Sequence, residues 1–279
     1  MKPTDVHQKL YGMTGAMLGH HYKLNPNYDP ATDIIPQGVF RRHEIPIAEH
    51  LLTFKQGLID DFLRGFDSLE DAIFTQTRSL LHKKAERPEY NLPTPDVSGD
   101  RFADEALEVL RVYDKDGNSV PNPNGWRNVE FKYHDPDSNI HWNADPEYVK
   151  SRYPTAWKLI EEFGDDCPII NYSYMAPNTV LHRHTGPENR TGEYIRIHIP
   201  LIIPEGDLFF EVNGEEIDWS DIFAFNNQLA HSAHNLSNEH RMIFLIDIRR
   251  SRVGLPPGEP FNPDRHLYSM TQPFVRKKK

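Results

Sequence analysis

The chain has 279 residues, 38% of them hydrophobic and 26% charged, and its 41 acidic against 31 basic side chains give a formal net charge of −10. That length can bury one large core or two small ones, and the acidic balance excludes the basic footprint of a nucleic-acid-binding surface. A single cysteine, Cys167, excludes an intramolecular disulfide and a thiolate-rich zinc site, and no apolar run approaches the roughly 20 residues of a membrane-spanning helix.

The opening "MKPTDVHQKLYG" has no signal-peptide core, so a soluble, cytoplasmic protein is expected, without a membrane or nucleic-acid partner. From Ile45 to Phe66 the apolar residues Leu51, Leu52, Phe54, Leu58, Ile59 and Phe62 recur at helical spacing. "SLEDAIFTQTRSLLHKK" predicts a second helix, opened by Ser68 with Glu70 and Asp71 in its first turn. The polar stretch from Ala85 to Arg101 carries three prolines and reads as a surface loop. "ALEVLRVY" and "GWRNVEFKYH" predict strands around a turn at Asp116-Gly117. "DPEYVKSRYPTAWKLIEEFG" predicts a further helix ending near Gly164.

From Cys167 to Arg250 one short β-branched or aromatic run follows another, punctuated by Pro, Gly and Asn, and "EVNGEEI" signals a hairpin through Asn213-Gly214. Short strands without intervening helices indicate an antiparallel sandwich or barrel. The expected organisation is a helical and loop region (1–104) packing on a β core (105–250), then an extended, proline-rich tail (251–279), all in one structural domain. The N-terminal region is expected to form a lid or a substrate wall, with contacts from Gly38 to His43 and from Arg87 to Arg101.

Polar residues interrupt the β-rich segment at Ser173, His184, Arg196, His198, His231 and Arg241. Arg196 and His198 alternate with Ile195, Ile197 and Ile199 and therefore share one face. Charged groups on such strands lie either at a rim in water or in a cavity with an anionic partner. Two arginines, a serine and two or three histidines on converging strands point to a pocket for a metal and a dicarboxylate. Period two also puts His182 on the face of His184, at the rim or behind the site, while "SAHN" reads His234 as a loop histidine.

"NYSYMAPNTVLHRHTGPEN", then "YIRIHIPLIIP", then the tryptophan before "FAFNNQLAHSAHN", and finally "HRMIFLID" resemble the aspartyl/asparaginyl β-hydroxylase family of iron(II)- and 2-oxoglutarate-dependent oxygenases. The carrying motifs are Tyr172 to Pro177, His184 to Asn189, Arg196 with His198, and His231 with Arg241 ten residues beyond it. "NRTGEYIRIH" holds a few more residues than the family pattern, and Asn226-Asn227 stand where the family usually shows two acids.

The resemblance implies a double-stranded β-helix, or jelly roll, with Fe(II), 2-oxoglutarate and O2 as reaction components. It implies His184 and His231 as iron ligands, and Gly186 stands where related oxygenases carry the carboxylate of a facial triad. Arg241 is expected to hold the distal carboxylate of 2-oxoglutarate bidentately, with a hydrogen bond from Ser173. His198 is expected at the carboxylate near the metal, and Arg196 at that carboxylate or at an acidic group of the substrate. The implied activity is hydroxylation of an unactivated carbon in an amino acid, an amino-acid derivative or a short peptide; no helical repeat suggests a folded-domain substrate. A non-oxygenase metal-dependent jelly-roll enzyme and a 2-oxoglutarate or metal sensor are the competing readings. The oligomeric state is not encoded in any motif.

Overall fold

The computed structural model describes residues 38–65, 110–113, 119–121, 126–135, 140–175, 177, 179–184, 186, 189 and 191–260. The helix expected from Ser68, the Ala85–Arg101 loop, the Asp116-Gly117 turn and the tail beyond residue 260 lie outside these residues.

Thirteen strands are described. They are β1 (Val39–Arg41), β2 (Leu110–Tyr113), β3 (Ser119–Pro121), β4 (Trp126–Asp135), β5 (Ile140–Asn143), β6 (Ile169–Met175) and β7 (Thr179–His184), followed by β8 (Tyr194–Ile202), β9 (Leu208–Val212), β10 (Glu215–Glu216), β11 (Phe223–Phe225), β12 (His231–Asn235) and β13 (Arg241–Arg249). Seven form one sheet in the order β1-β11-β8-β13-β6-β4-β5, and six form the other in the order β10-β9-β12-β7-β2-β3. Every described pairing is antiparallel. From β6 to β13 the chain alternates between the sheets, and only β9 and β10 stay together as a hairpin. That alternation is the double-stranded β-helix.

The hairpin follows from its turn residues. Asn213 (φ 51°) and Gly214 (φ 81°) take the two positive-φ positions of a two-residue turn, and Glu215 pairs with Val212. Gly38 to His43 carries β1, which pairs with β11 at the edge of the larger sheet, where the sequence suggests a loop.

The helices cover one face of that sheet. They are α1 (Ala48–Thr53), α2 (Lys55–Gly65), α3 (Pro146–Arg152) and α4 (Pro154–Phe163). Two single helices expected from the sequence are each broken. In the first, Phe54 N–H donates to Leu51 O three residues back, a tightened turn between α1 and α2. In the second, Pro154 starts a new helix and drives Tyr153 out of the helical region (φ −130°, ψ 58°).

Leu58 and Phe62 of α2 and Leu159 and Phe163 of α4 pack with Tyr172, Ile195, Ile197, Ile199, Phe244 and Ile246 in one core cluster. This fixes the parity of β8: its isoleucines face the helices, so Arg196 and His198 face the barrel interior. A second apolar cluster fills that interior with Phe210, Phe223, Phe225, Trp219 and Leu229.

One buried carboxylate joins the helices. Asp61 on α2 accepts hydrogen bonds from Thr155 N (2.5 Å) and Ala156 N (3.1 Å) in the first turn of α4, and from Arg64 Nη2 (2.9 Å). It caps a helix distant in sequence, since the first N–H groups of α4 have no partner within the helix. Asp61→Ala is expected to destabilise the protein by about 2 kcal/mol, read as a lower urea midpoint with Asp61→Asn intermediate.

Candidate active site

The smaller sheet sets the position of the two histidines. The Cα atoms of His231 and His184 are direct partners on β12 and β7, the register at which two residues share a face. The described part of His184 is its backbone. His231 is buried, and its Nδ1 lies 2.8 Å from Leu229 O. A carbonyl oxygen only accepts, so Nδ1 carries the proton and the Nε2 lone pair is directed elsewhere. That tautomer is the one a metal-ligating imidazole adopts when a backbone carbonyl orients it.

Between these partners β7 carries a bulge. His231 pairs with His184 and Ala233 with Leu181, so His182 and Arg183 together oppose Ser232. Period two does not carry through a bulge, which removes the reason for placing His182 on the face of His184. His234 sits on β12 rather than in a loop, on the face opposite His231. It stacks on Phe209 (5.0 Å between centroids), and its Nε2 reaches Asp207 Oδ1 at 3.1 Å.

Hydrogen bonds join the loop after His184 to the loop before His231. Gly186 N–H donates to Asn227 O at 2.6 Å. The side-chain amide of Gln228 donates to Asn189 O, and Asn189 Nδ2 donates to Tyr194 O (2.8 Å) and, more weakly, to Asn226 Oδ1 (3.4 Å). Asn226 N–H in turn donates to Gly38 O at 2.8 Å. Of the two asparagines that depart from the family pattern, Asn226 joins this uncharged network through its side chain and Asn227 through its backbone carbonyl.

The larger sheet supplies the pocket floor. Arg241, first residue of β13, pairs with Met175, and Ser173 pairs with Ile243, so Arg241 and Ser173 are diagonal neighbours on one face. Both are buried. The Arg241 guanidinium lies over the Trp219 ring at 3.4 Å from its centroid, and its Nε and Nη2 have no hydrogen-bond partner among the described residues. Burial works against its charge. A buried guanidinium with unsatisfied donors calls for an anion, and a carboxylate matches its fork.

His198 lies in an aromatic box, 5.2, 5.0 and 5.1 Å from the rings of Phe210, Phe223 and Phe225. Burial first, then the positive charges of Arg241 and Arg196 and the neighbouring His231, hold it well below the usual histidine range. It is therefore a neutral imidazole, and its Nδ1 has no hydrogen-bond partner among the described residues.

Arg196 is placed differently from its sequence expectation. Its Nε and Nη2 each lie 2.7 Å from a carboxylate oxygen of Asp247, the residue opposite it on β13. This bidentate pair is largely closed to solvent, with side-chain exposures of 12% and 3%. Arg196 thus already has a carboxylate, whereas Arg241 has none among the described residues.

The strand alternation and the opposed histidine positions define the class: a double-stranded β-helix with a two-histidine candidate centre and a buried arginine. A family model described as aspartyl/asparaginyl beta-hydroxylase matches residues 99–251, more than half of the chain. The chain belongs to the aspartyl/asparaginyl beta-hydroxylase family. It is 28% identical over 101 residues to the aspartyl/asparaginyl beta-hydroxylases of Mus musculus and Homo sapiens, a match covering 34% of this chain and 13% of each of theirs. An oxidoreductase of the 2OG-Fe(II) oxygenase family from Burkholderia pseudomallei aligns at 8% identity over 48% of this chain and 70% of its own, with a TM-score of 0.30.

Among the described residues no group of three or more His, Cys, Asp or Glu side chains is placed to hold a metal. His231→Ala and His184→Ala are each expected to abolish divalent-metal binding in equilibrium dialysis, whereas His234→Ala on the opposite face retains it. Arg196→Ala should act on folding, because it leaves the buried Asp247 carboxylate without its partner. About 3 kcal/mol of lost stability is expected in denaturant unfolding, and an Arg196→Ala, Asp247→Leu double variant should recover most of it.

Proposed function

We propose that this protein is an Fe(II)- and 2-oxoglutarate-dependent oxygenase that hydroxylates an unactivated carbon of an amino acid, an amino-acid derivative or a short peptide. Family membership supports the class, and one observation supports the cosubstrate: Arg241 is buried in the barrel interior with two N–H groups lacking acceptors among the described residues. His231 and His184 are the residues that would hold iron. The Nδ1–H···O=C bond to Leu229 fits that role because it leaves Nε2 as the donor atom. Gly186 fits as well, since it adds no carboxylate to the two histidines. When bound, iron and 2-oxoglutarate supply the oxidising power that places one oxygen atom from O2 in a C–H bond.

The remaining work falls to the chain. Arg241 would fix the distal carboxylate, and Ser173, its diagonal neighbour on the same face, would share it. His198, kept neutral, contributes a hydrogen-bonding group at the metal end without adding positive charge. Phe210, Phe223 and Phe225 exclude water around that imidazole, which strengthens each polar contact formed there. Positioning and dryness are the protein's contribution; the metal and cosubstrate carry the chemistry.

The direct test is 2-oxoglutarate consumption with Fe(II), coupled to a mass-spectrometric screen of amino acids and short peptides for the gain of one oxygen. Failure to consume 2-oxoglutarate under any of these conditions overturns the proposal. Arg241→Ala is expected to weaken 2-oxoglutarate binding by roughly 30-fold to several thousand-fold, the equivalent of about 2–5 kcal/mol. Metal binding should persist in that variant. Titrating 2-oxoglutarate and metal separately by calorimetry checks both halves.

A further inference from the structure

Trp219 precedes β11 and is buried, with 5% exposure. Its ring stacks on the Arg241 guanidinium and lies 5.2 Å from Phe210. Packing alone would account for an aromatic ring at this place. The indole adds one polar group: Nε1–H is buried and has no hydrogen-bond partner among the described residues. Buried indole N–H groups usually find an acceptor. Because Nε1 belongs to the stacked ring, this donor sits beside the two unsatisfied donors of Arg241. Three buried N–H groups without acceptors are thus gathered in one stacked pair. A carboxylate accepts at about four lone-pair sites and can take a guanidinium fork together with a third donor.

We propose that Trp219 is a cosubstrate-binding residue, its Nε1–H donating to the same distal carboxylate that Arg241 holds while its ring fixes the plane of the guanidinium. The inference rests on the reading of Arg241 given above. It separates Trp219 from the purely apolar residues of the interior and adds a third N–H to the anchor, beside the Ser173 hydroxyl. A 2-oxo acid without the distal carboxylate gains nothing from the anchor.

The experiment compares 2-oxoglutarate with 2-oxopentanoate, which shares the 2-oxo acid end and lacks the distal carboxylate. Binding is measured calorimetrically on protein loaded with Zn(II), so no turnover enters. Trp219→Phe keeps an aromatic ring and removes the N–H together with the five-membered part of the indole, a packing loss that 2-oxopentanoate, bound in the same pocket, controls for. It is expected to weaken 2-oxoglutarate about 10- to 100-fold, the range for a hydrogen bond to a charged group, and to leave 2-oxopentanoate within about twofold. Equal weakening of both ligands, or of neither, overturns the proposal. If the wild-type protein itself binds the two ligands equally, it is the assignment of Arg241 that fails, a separate outcome. Should Trp219→Phe not fold, the wild-type protein decides. Its four tryptophans give four indole ¹⁵N–¹H resonances, and one must move downfield with 2-oxoglutarate and not with 2-oxopentanoate. No such resonance means no such bond.

Discussion

A guanidinium enclosed in a β-barrel is an expensive group, because its charge and five donors leave water together. Arg241 is in that position, and much of its surroundings can be understood as a response. Trp219 covers one face of the guanidinium, where a π-system partly replaces hydration. His198, within its electrostatic reach, is held neutral and adds no further positive charge. The second interior arginine is neutralised by its own carboxylate, Asp247. Among the described residues one cation is left with buried, unsatisfied donors, and it is Arg241.

The two sheets divide the labour. The smaller one, through the register of β12 on β7, sets the backbone spacing of the histidine pair. The larger one carries Ser173, Arg241 and His198 on one face, and its other face is packed against the helices. That packing matters for the site, because the parity of β8 is fixed by three isoleucines buried against α2 and α4. A slip of one residue would turn His198 out of the interior.

Several of these features are legible in the sequence, for identifiable reasons. Asn213-Gly214 specifies its hairpin because both positions need positive φ. The alternation of Arg196 and His198 with isoleucines requires only the strand period. Pro154 in "SRYPTAWK" carries a helix break that the apolar spacing conceals, so one helix was expected where two occur. Other features have no local signal. The partner of Arg196 is 51 residues away in sequence and becomes visible only when β8 and β13 pair. The stacking of Trp219 on Arg241 depends on a loop conformation. The bulge at His182 and Arg183 defeats the period-two argument because an inserted residue leaves composition unchanged. His234 is the reverse case: an odd spacing from His231 already places it on the opposite face once the segment is known to be a strand.

The edge strand β1 bears on how the protein can be cut. It lies some 60 residues before the start of the family match at residue 99, yet it is hydrogen-bonded into the larger sheet, with Val39 opposite Phe225. Its neighbour Gly38 receives the Asn226 N–H and approaches Leu229 so closely that an added Cβ would stand 2.1 Å from Leu229 Cδ1. Leu229 is the residue whose carbonyl orients His231. A fragment trimmed to the family boundaries would expose an unpaired edge at β11 and release the segment that aims the histidine. The smallest piece that preserves these contacts must therefore include Gly38, well upstream of the region by which the family is detected.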